Sequence, residues 1–153
     1  RLLRDEVLPN SLTSLSLGSA FDMPLWEGAL PSSLIELKFG DNFNQLLTKD
    51  ILPHGLRHLS FGSNFNHGKV ALLYYPPNFE GVLPSTLTHL TFGDKFNFRL
   101  GKSALPSSLI ELKFGANFNM YLEEGELPSG LKKLTPESDV FQGSHLCVIV
   151  EAS

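Results

Sequence analysis

The sequence predicts a leucine-rich-repeat solenoid, mainly β, with one parallel sheet of about six short strands, turn or extended return limbs and little helix. Two observations indicate this fold. The segment from Leu105 to Asn119 nearly copies the segment from Leu30 to Asn44. A Leu-Pro pair also recurs at spacings of 22, 22, 31, 22 and 22 residues, with its prolines at Pro9, Pro31, Pro53, Pro84, Pro106 and Pro128. Self-similarity at such a period is the signature of stacked coils.

Each unit carries one short strand, marked by alternating apolar residues such as Leu37 and Phe39. Alternation with a period of two places these side chains on one face of a strand. A coil of this length has too few residues for a core of its own. We therefore expect equivalent strands to align in a parallel sheet, with apolar faces buried between neighbouring coils.

The repeated unit reads Leu-Pro-x-x-Leu-x-x-Leu-x-Phe-Gly-x-x-Phe-Asn in four copies, and a fifth copy carries Leu17 and Asp22 in place of Phe and Asn. From about Leu3 to Leu134 the chain resembles the FNIP repeat, a 22-residue leucine-rich-repeat variant found in social amoebae and giant DNA viruses. The resemblance implies a protein-interaction module, because arrays of this kind are not known as catalysts.

The boundaries follow from the same pattern. We expect residues 1–153 to form a single solenoid, with regular repeats over about 8–134 and an insertion at about 67–82. Pro136 replaces the phenylalanine of the sixth unit, so residues 135–153 are predicted to cap the stack. Leu3 occupies a return-limb position, which predicts that the array is entered halfway at the N-terminus.

Composition and charge limit the classes of partner that the chain can bind. The 12 basic and 16 acidic residues give a net charge of −4 without a basic block, which argues against nucleic acid and anionic membranes. The apolar run at 146–150 is too short to span a bilayer. Cys147 is the single cysteine, which favours an intracellular, cytoplasmic location over a secreted solenoid closed by paired cysteines.

Two further columns, meaning equivalent positions in successive units, hold glycine and asparagine, and each needs a structural reason. The glycines that follow each strand indicate either a positive φ or a backbone packed too closely for a Cβ. The asparagines four residues later predict a ladder in which side-chain amides form hydrogen bonds with the backbone of the turns in adjacent coils. The return limbs are too short and too rich in proline for an α-helix.

The insertion contains three aromatic residues, Tyr74, Tyr75 and Phe79, beside two prolines. Rigid aromatic side chains are typical of binding hot spots. In the alternative interpretation Phe79 and the neighbouring leucines fold back as a lid over the return limbs. The sequence leaves both interpretations open.

The strands also present two outward columns, and these vary between units. The candidate binding residues are Glu36, Lys38, His58, Ser60, His89, Thr91, Glu111 and Lys113, together with Tyr74, Tyr75 and Phe79. Adjacent His58 and His89 would permit a metal pair, but a flat sheet points side chains in parallel and does not converge ligands. No nucleophile elbow or phosphate loop is present, so neither an enzyme nor a cofactor is predicted.

The sequence therefore predicts recognition of another protein through the variable face of the sheet. Self-association through open end coils is the alternative, and a histidine-based metal or enzymatic site is the less favoured third hypothesis.

Overall fold

The computed structural model describes residues 8–66 and 79–135. They contain six strands of three residues each: β1 (Ser14–Ser16), β2 (Glu36–Lys38), β3 (His58–Ser60), β4 (His89–Thr91), β5 (Glu111–Lys113) and β6 (Lys133–Thr135). All pairings are parallel, and the strands lie in the sheet in chain order. These residues contain no helix. The predicted solenoid is confirmed.

The register between coils is the same throughout the sheet. Leu15 pairs with Leu37 and Leu59 pairs with Leu90, so each central leucine lies against the next. At the entry to β2, the N–H groups of Ile35 and Glu36 both donate to the carbonyl oxygen of Thr13, at 2.8 and 3.0 Å. The same bifurcated pattern recurs at each later strand. The sheet is thus one hydrogen-bond unit repeated.

The repeat motif encodes two turns on either side of the strand. In each coil the leucine three residues after the proline donates its N–H to the proline carbonyl, as Leu34 does to Pro31 at 3.1 Å. After the strand, Phe43 donates to Gly40 at 3.2 Å, and the equivalent bond recurs in the other coils. Bonds from residue i+3 to residue i close β-turns. Leu-Pro-x-x-Leu and Gly-x-x-Phe are therefore turn signatures as well as core positions.

Phenylalanine rings form most of the core. Phe39 and Phe43 stack within one coil with ring centroids 3.9 Å apart, and Phe39 stacks on Phe61 of the next coil at 5.3 Å. The pattern continues through the later coils as two columns of nearly parallel rings. Each ring has apolar partners within its own coil and in neighbouring coils. Burial of one coil's core therefore depends on its neighbours, as expected for a repeat protein.

The glycine column is explained by close packing. A Cβ on Gly40, Gly62, Gly93 or Gly115 would overlap the backbone of the glycine in the preceding coil. None of these four has a positive φ. Of the two sequence interpretations, the close backbone approach is the one that the structure shows.

Positive φ occurs in a different column, which the sequence analysis missed. The residues three before each proline, from the second unit on, have φ between 65° and 86°: Gly28, Asp50, Gly81, Ser103 and Gly125. This column turns the return limb back towards the next Leu-Pro pair. Asp50 and Ser103 are its non-glycine members, and a side chain at such a φ costs about 1–2 kcal/mol.

The predicted asparagine ladder is present. Asn66 N–H donates to Asn44 Oδ1 at 2.9 Å, Asn97 N–H to Asn66 Oδ1 at 2.9 Å, and Asn119 N–H to Asn97 Oδ1 at 3.1 Å. In the first coil the acceptor is Asp22, which binds Asn44 N–H at 2.9 Å. Each side chain thus satisfies a backbone donor in the following turn.

Candidate functional site

The outward side of the sheet, here called the outer face, carries two columns of polar side chains. The first outer column is Ser14, Glu36, His58, His89, Glu111 and Lys133, and the second is Ser16, Lys38, Ser60, Thr91, Lys113 and Thr135. In β2, Leu37 is buried while Glu36 and Lys38 on either side of it are exposed. The period of two therefore places the eight predicted strand residues together on one side of the sheet.

His58 and His89 lie face to face at the centre of the first outer column. Their ring centroids are 4.4 Å apart and the ring planes differ by 16°. Thr88 Oγ1 donates to the carbonyl oxygen of Arg57 at 3.1 Å and lies 2.9 Å from His89 Nδ1. Thr88 Oγ1 therefore lies within hydrogen-bond distance of both the Arg57 carbonyl oxygen and His89 Nδ1. The His89 ring is therefore held in a defined orientation.

The two imidazoles lie in a row of charged side chains. Glu111 Oε2 is 3.7 Å from His89 Nε2, and Glu111 also forms an ion pair and hydrogen bond with Lys133 on β6. At the other end of the column, Ser14 Oγ donates to Glu36 Oε2 at 3.4 Å. The first outer column thus has an acid on each side of the histidine pair.

The Glu111 carboxyl has a pKa below its ordinary value of 4.5. The largest cause is the hydrogen bond from Lys133. Partial burial opposes the shift, and the electrostatic attraction of Lys133 and, as the last cause, of the nearby His89 imidazole adds to it. Glu111 is therefore held in its ionised form by β4 and β6 together.

The described parts of the chain, 8–66 and 79–135, hold no group of three or more His, Cys, Asp or Glu side chains that could bind a metal ion. His58 and His89 stand as a stacked pair on a flat surface. The geometry provides no convergent ligand set of the kind that zinc requires.

The prediction that Phe79 is a surface hot spot is wrong. Its side chain is fully buried, with ring centroids 6.5 Å from Phe65, 5.8 Å from Phe92 and 5.9 Å from Phe96. For this residue the lid interpretation describes the observed packing, because the ring closes over the two phenylalanine columns. Tyr74 and Tyr75, most of the insertion, and residues 136–153 of the predicted cap lie outside the described residues.

A charged cluster on the return limbs was not predicted from the sequence. Arg99 forms an ion pair with Glu123, and its Nε lies 3.8 Å from Glu126 Oε1. Glu126 is 3% exposed, and its Oε2 accepts the N–H of Glu123 at 2.8 Å. The sequence contained one indication of this cluster, because an acid at Glu126 departs from the apolar residues found two positions before other prolines. Those residues, all buried, are Ala29, Ile51, Val82 and Ala104.

Comparison with known proteins identifies the family. The FNIP repeat model matches residues 1–42, 43–68, 77–117 and 96–135. The chain belongs to the FNIP-repeat family. No curated protein sequence matches it significantly.

A solved structure supports the same assignment for this FNIP-repeat chain. It is similar to the crystal structure of CroV588, described as a novel circular LRR protein, with 45% sequence identity and a TM-score of 0.76. The match covers 84% of this chain and 18% of that one, so the FNIP-repeat chain corresponds to a small part of CroV588. In the described residues no helix is long and apolar enough to cross a membrane.

Proposed function

We propose that this FNIP-repeat chain is a protein-interaction module that recognises its partner through the outer face. The observation that supports this most is the difference in residue type between the inward and the outward columns of the strands. Inward positions repeat the same leucine and phenylalanine in coil after coil, whereas the outer columns mix acids, lysines, histidines and hydroxyls. Residues that are free of packing constraints are those that can encode a partner.

Rigidity makes this surface suitable for recognition. The side chains of the outer columns stand on strands held in fixed register by backbone hydrogen bonds, with a fully buried leucine beneath each of β2 and β5. Little conformational freedom is lost when such a surface binds, which favours affinity. Charges of both signs favour selection among partners by electrostatic complementarity. We propose no catalytic role.

The test reverses charge on the outer face. Glu36→Lys combined with Glu111→Lys should weaken binding of a partner isolated with the unmodified chain by at least about 1–2 kcal/mol, because attractive contacts become repulsive. The matched control is Glu27→Lys with Glu124→Lys, two exposed positions outside the strands with the same change in net charge. Binding is measured by calorimetry on the purified pair.

The loop variants Tyr74→Ala and Tyr75→Ala separate the insertion from the sheet. Should these abolish binding while the outer-face reversal leaves it unchanged, the partner contacts the insertion and the outer-face proposal is wrong. Equal losses from the outer-face pair and the control pair would indicate a general charge effect, which would also contradict the proposal.

A second candidate function is self-association through the first coil. Within the described residues β1 pairs with β2 alone, and its apolar column is half-exposed at Leu12, Leu15, Leu17 and Phe21. Both outward residues of β1 are serines, so this edge lacks the charges that usually keep edge strands apart.

Sedimentation over a range of protein concentrations tests this candidate. A second copy that covers β1 predicts a concentration-dependent dimer, and Ser14→Lys with Ser16→Lys should shift the equilibrium to monomer by charge repulsion. Ser32→Lys with Ser107→Lys, exposed positions on internal coils, is the control. A chain that stays monomeric at all concentrations would exclude this candidate and leave the outer-face proposal intact.

A further inference from the structure

A trough crosses the sheet at the C-terminal ends of strands β1 to β5. Its volume is about 480 Å³. One wall comes from the second outer column and includes Ser16, Lys38, Thr91 and Lys113. The opposite wall comes from residues that follow the glycine column: Ser19, Asp41, Ser63 and Asp94. Between the walls lie Gly18, Gly40, Gly62 and Gly93, whose backbone lines the floor.

The two walls differ in charge. The wall with Lys38 and Lys113 otherwise has hydroxyl groups and no acid, whereas the wall with Asp41 and Asp94 has hydroxyl groups and no base. Asp41 Oδ1 accepts hydrogen bonds from Ser63 N–H and Ser63 Oγ, both at 3.3 Å, which orients this carboxylate. A carboxylate has about four acceptor sites, so Asp41 can accept further donors from a ligand. The trough is therefore positive along one side and negative along the other.

The dimensions of the trough suit an extended polypeptide. Four steps between neighbouring strands at about 4.8 Å each give a length of about 19 Å, which about six residues of extended chain span at about 3.3 Å per residue. Successive side chains of an extended chain point to opposite sides, so each wall meets every second residue.

The spacing of the charges specifies the sequence pattern. Lys38 and Lys113 lie three strands apart in the sheet, about 14 Å, which four residues of extended chain match at about 13 Å. Asp41 and Asp94 belong to coils two steps apart, about 10 Å. Acids at positions i and i+4 thus reach the lysine wall, and bases at i+1 and i+3 reach the aspartate wall.

We propose that this trough binds an extended segment of a partner protein in which two acidic residues flank two basic residues in this pattern. The proposal rests on the proposed function of the outer face and adds the chemistry of the partner.

Two short peptides of identical composition test the pattern. The first is acetyl-Glu-Lys-Gly-Lys-Glu-amide, which has the predicted arrangement. The second is acetyl-Lys-Glu-Gly-Glu-Lys-amide, whose acids are too close together to reach both Lys38 and Lys113. Both have zero net charge, so non-specific attraction to the chain is matched. In NMR titrations the first peptide should bind about tenfold more tightly, from four exposed ion pairs of about 0.3–0.5 kcal/mol each, and should shift the signals of Gly40, Gly62 and Gly93.

A charge-swapped chain provides the reciprocal test. Lys38→Glu, Lys113→Glu, Asp41→Lys and Asp94→Lys together exchange the two walls without changing the net charge. This variant should prefer the second peptide by about the same factor. If the fourfold variant does not fold, as judged by circular dichroism, the variant Lys38→Glu with Asp41→Lys exchanges one end alone and should abolish the preference for either peptide.

Three results would overturn the proposal: no binding of either peptide at about 10 mM, equal affinity of the original chain for both, or shifts confined to the first outer column. Each is distinguishable from failure of the proposed function. Loss of a partner when Glu36 and Glu111 are reversed, combined with no peptide preference, would leave the outer face as the recognition surface and remove the trough alone.

Discussion

Gly93 packs so closely against Gly62 that a Cβ on Gly93 would overlap the carbonyl oxygen and carbonyl carbon of Gly62. The same relationship links Gly40 to Gly18, Gly62 to Gly40 and Gly115 to Gly93. The distance between coils is therefore set at this column by backbone-to-backbone contact.

Gly93→Ala should destabilise the chain by about 3 kcal/mol, the upper end of the range for overpacking, because the obstacle is backbone that cannot move aside. Gly18→Ala is the matched control, since a Cβ there meets no atom within 4 Å. That change should cost nothing and should stabilise by up to about 1 kcal/mol through the unfolded state. Urea unfolding of both variants measures the contrast, and similar midpoints would contradict the close-packing explanation.

Phe92→Ala should lower the free energy of unfolding by about 3–5 kcal/mol. The ring is 1% exposed and contacts Phe61, Phe96 and Phe114 in three coils. Tyr121→Ala is the control, because that side chain is 74% exposed and should change stability by less than about 0.5 kcal/mol. An unchanged melting temperature for Phe92→Ala would show that the phenylalanine column is not the core.

Asn66→Ala should cost about 1–2 kcal/mol, because the N–H of Asn97 then loses its acceptor in a half-buried turn. Asn66→Asp keeps a carboxylate oxygen at that position, as Asp22 does in the first coil, and should cost less. Thermal unfolding distinguishes the two variants. Equal losses would mean that the accepting oxygen is not what the ladder contributes.

Ser103→Gly should stabilise the chain by about 0.5–1 kcal/mol, because Ser103 has a φ of 65° that favours glycine. The reverse change at the same position of another coil, Gly81→Ala, should destabilise by a similar amount. Denaturant midpoints report both effects, and a loss of stability on Ser103→Gly would point to a side-chain contribution that outweighs the backbone strain.

The ion pair of Glu111 with Lys133 should make stability fall on the acid side. The pKa of Glu111 is lowered in the folded chain, so its contribution is present above the ordinary value of 4.5 and is lost as the pH falls through the lowered value. Both side chains are partly exposed, which limits the effect to below about 1 kcal/mol. Lys133→Gln should reduce the difference between unfolding free energies at pH 7 and pH 3, whereas Lys132→Gln, an exposed neighbour, should leave it unchanged.

Much of the fold could be predicted because a short motif was present in several copies. Repetition showed that Leu37, Phe39 and Asn44 each have counterparts at the same place in the other units. Each of the three residues lies in the structure where the period predicts it. The reason for the glycine column could not be decided from sequence, because a positive φ and a close approach both select glycine. The column of Asp50 and Ser103 was missed because its residue types differ between coils.

Of the candidate site, the strand residues were predicted correctly as a group on one face, whereas Phe79 and Glu126 were not. Glu36, His58, His89 and Glu111 share the outer face because a strand alternates its side chains. Phe79 was misassigned because it lies near the end of the insertion, five residues before Pro84. The other units carry Trp26, Thr48, Gly101 and Glu123 at that position, so the repeat predicts no residue type or burial there. Glu126 pairs across coils with Arg99, a relationship that depends on how the return limbs stack and not on either residue's place in its own repeat.

The step from β3 to β4 takes 31 residues where every other step takes 22, yet the geometry on either side is undisturbed. Leu59 still pairs with Leu90, and Asn97 still donates to Asn66 at the same 2.9 Å found between the two preceding coils. The length of a return limb is thus independent of the spacing of the coils. Lineages carrying this architecture can acquire new segments at that point by simple genetic insertion, and a protein engineer can graft a foreign peptide there without redesigning the scaffold.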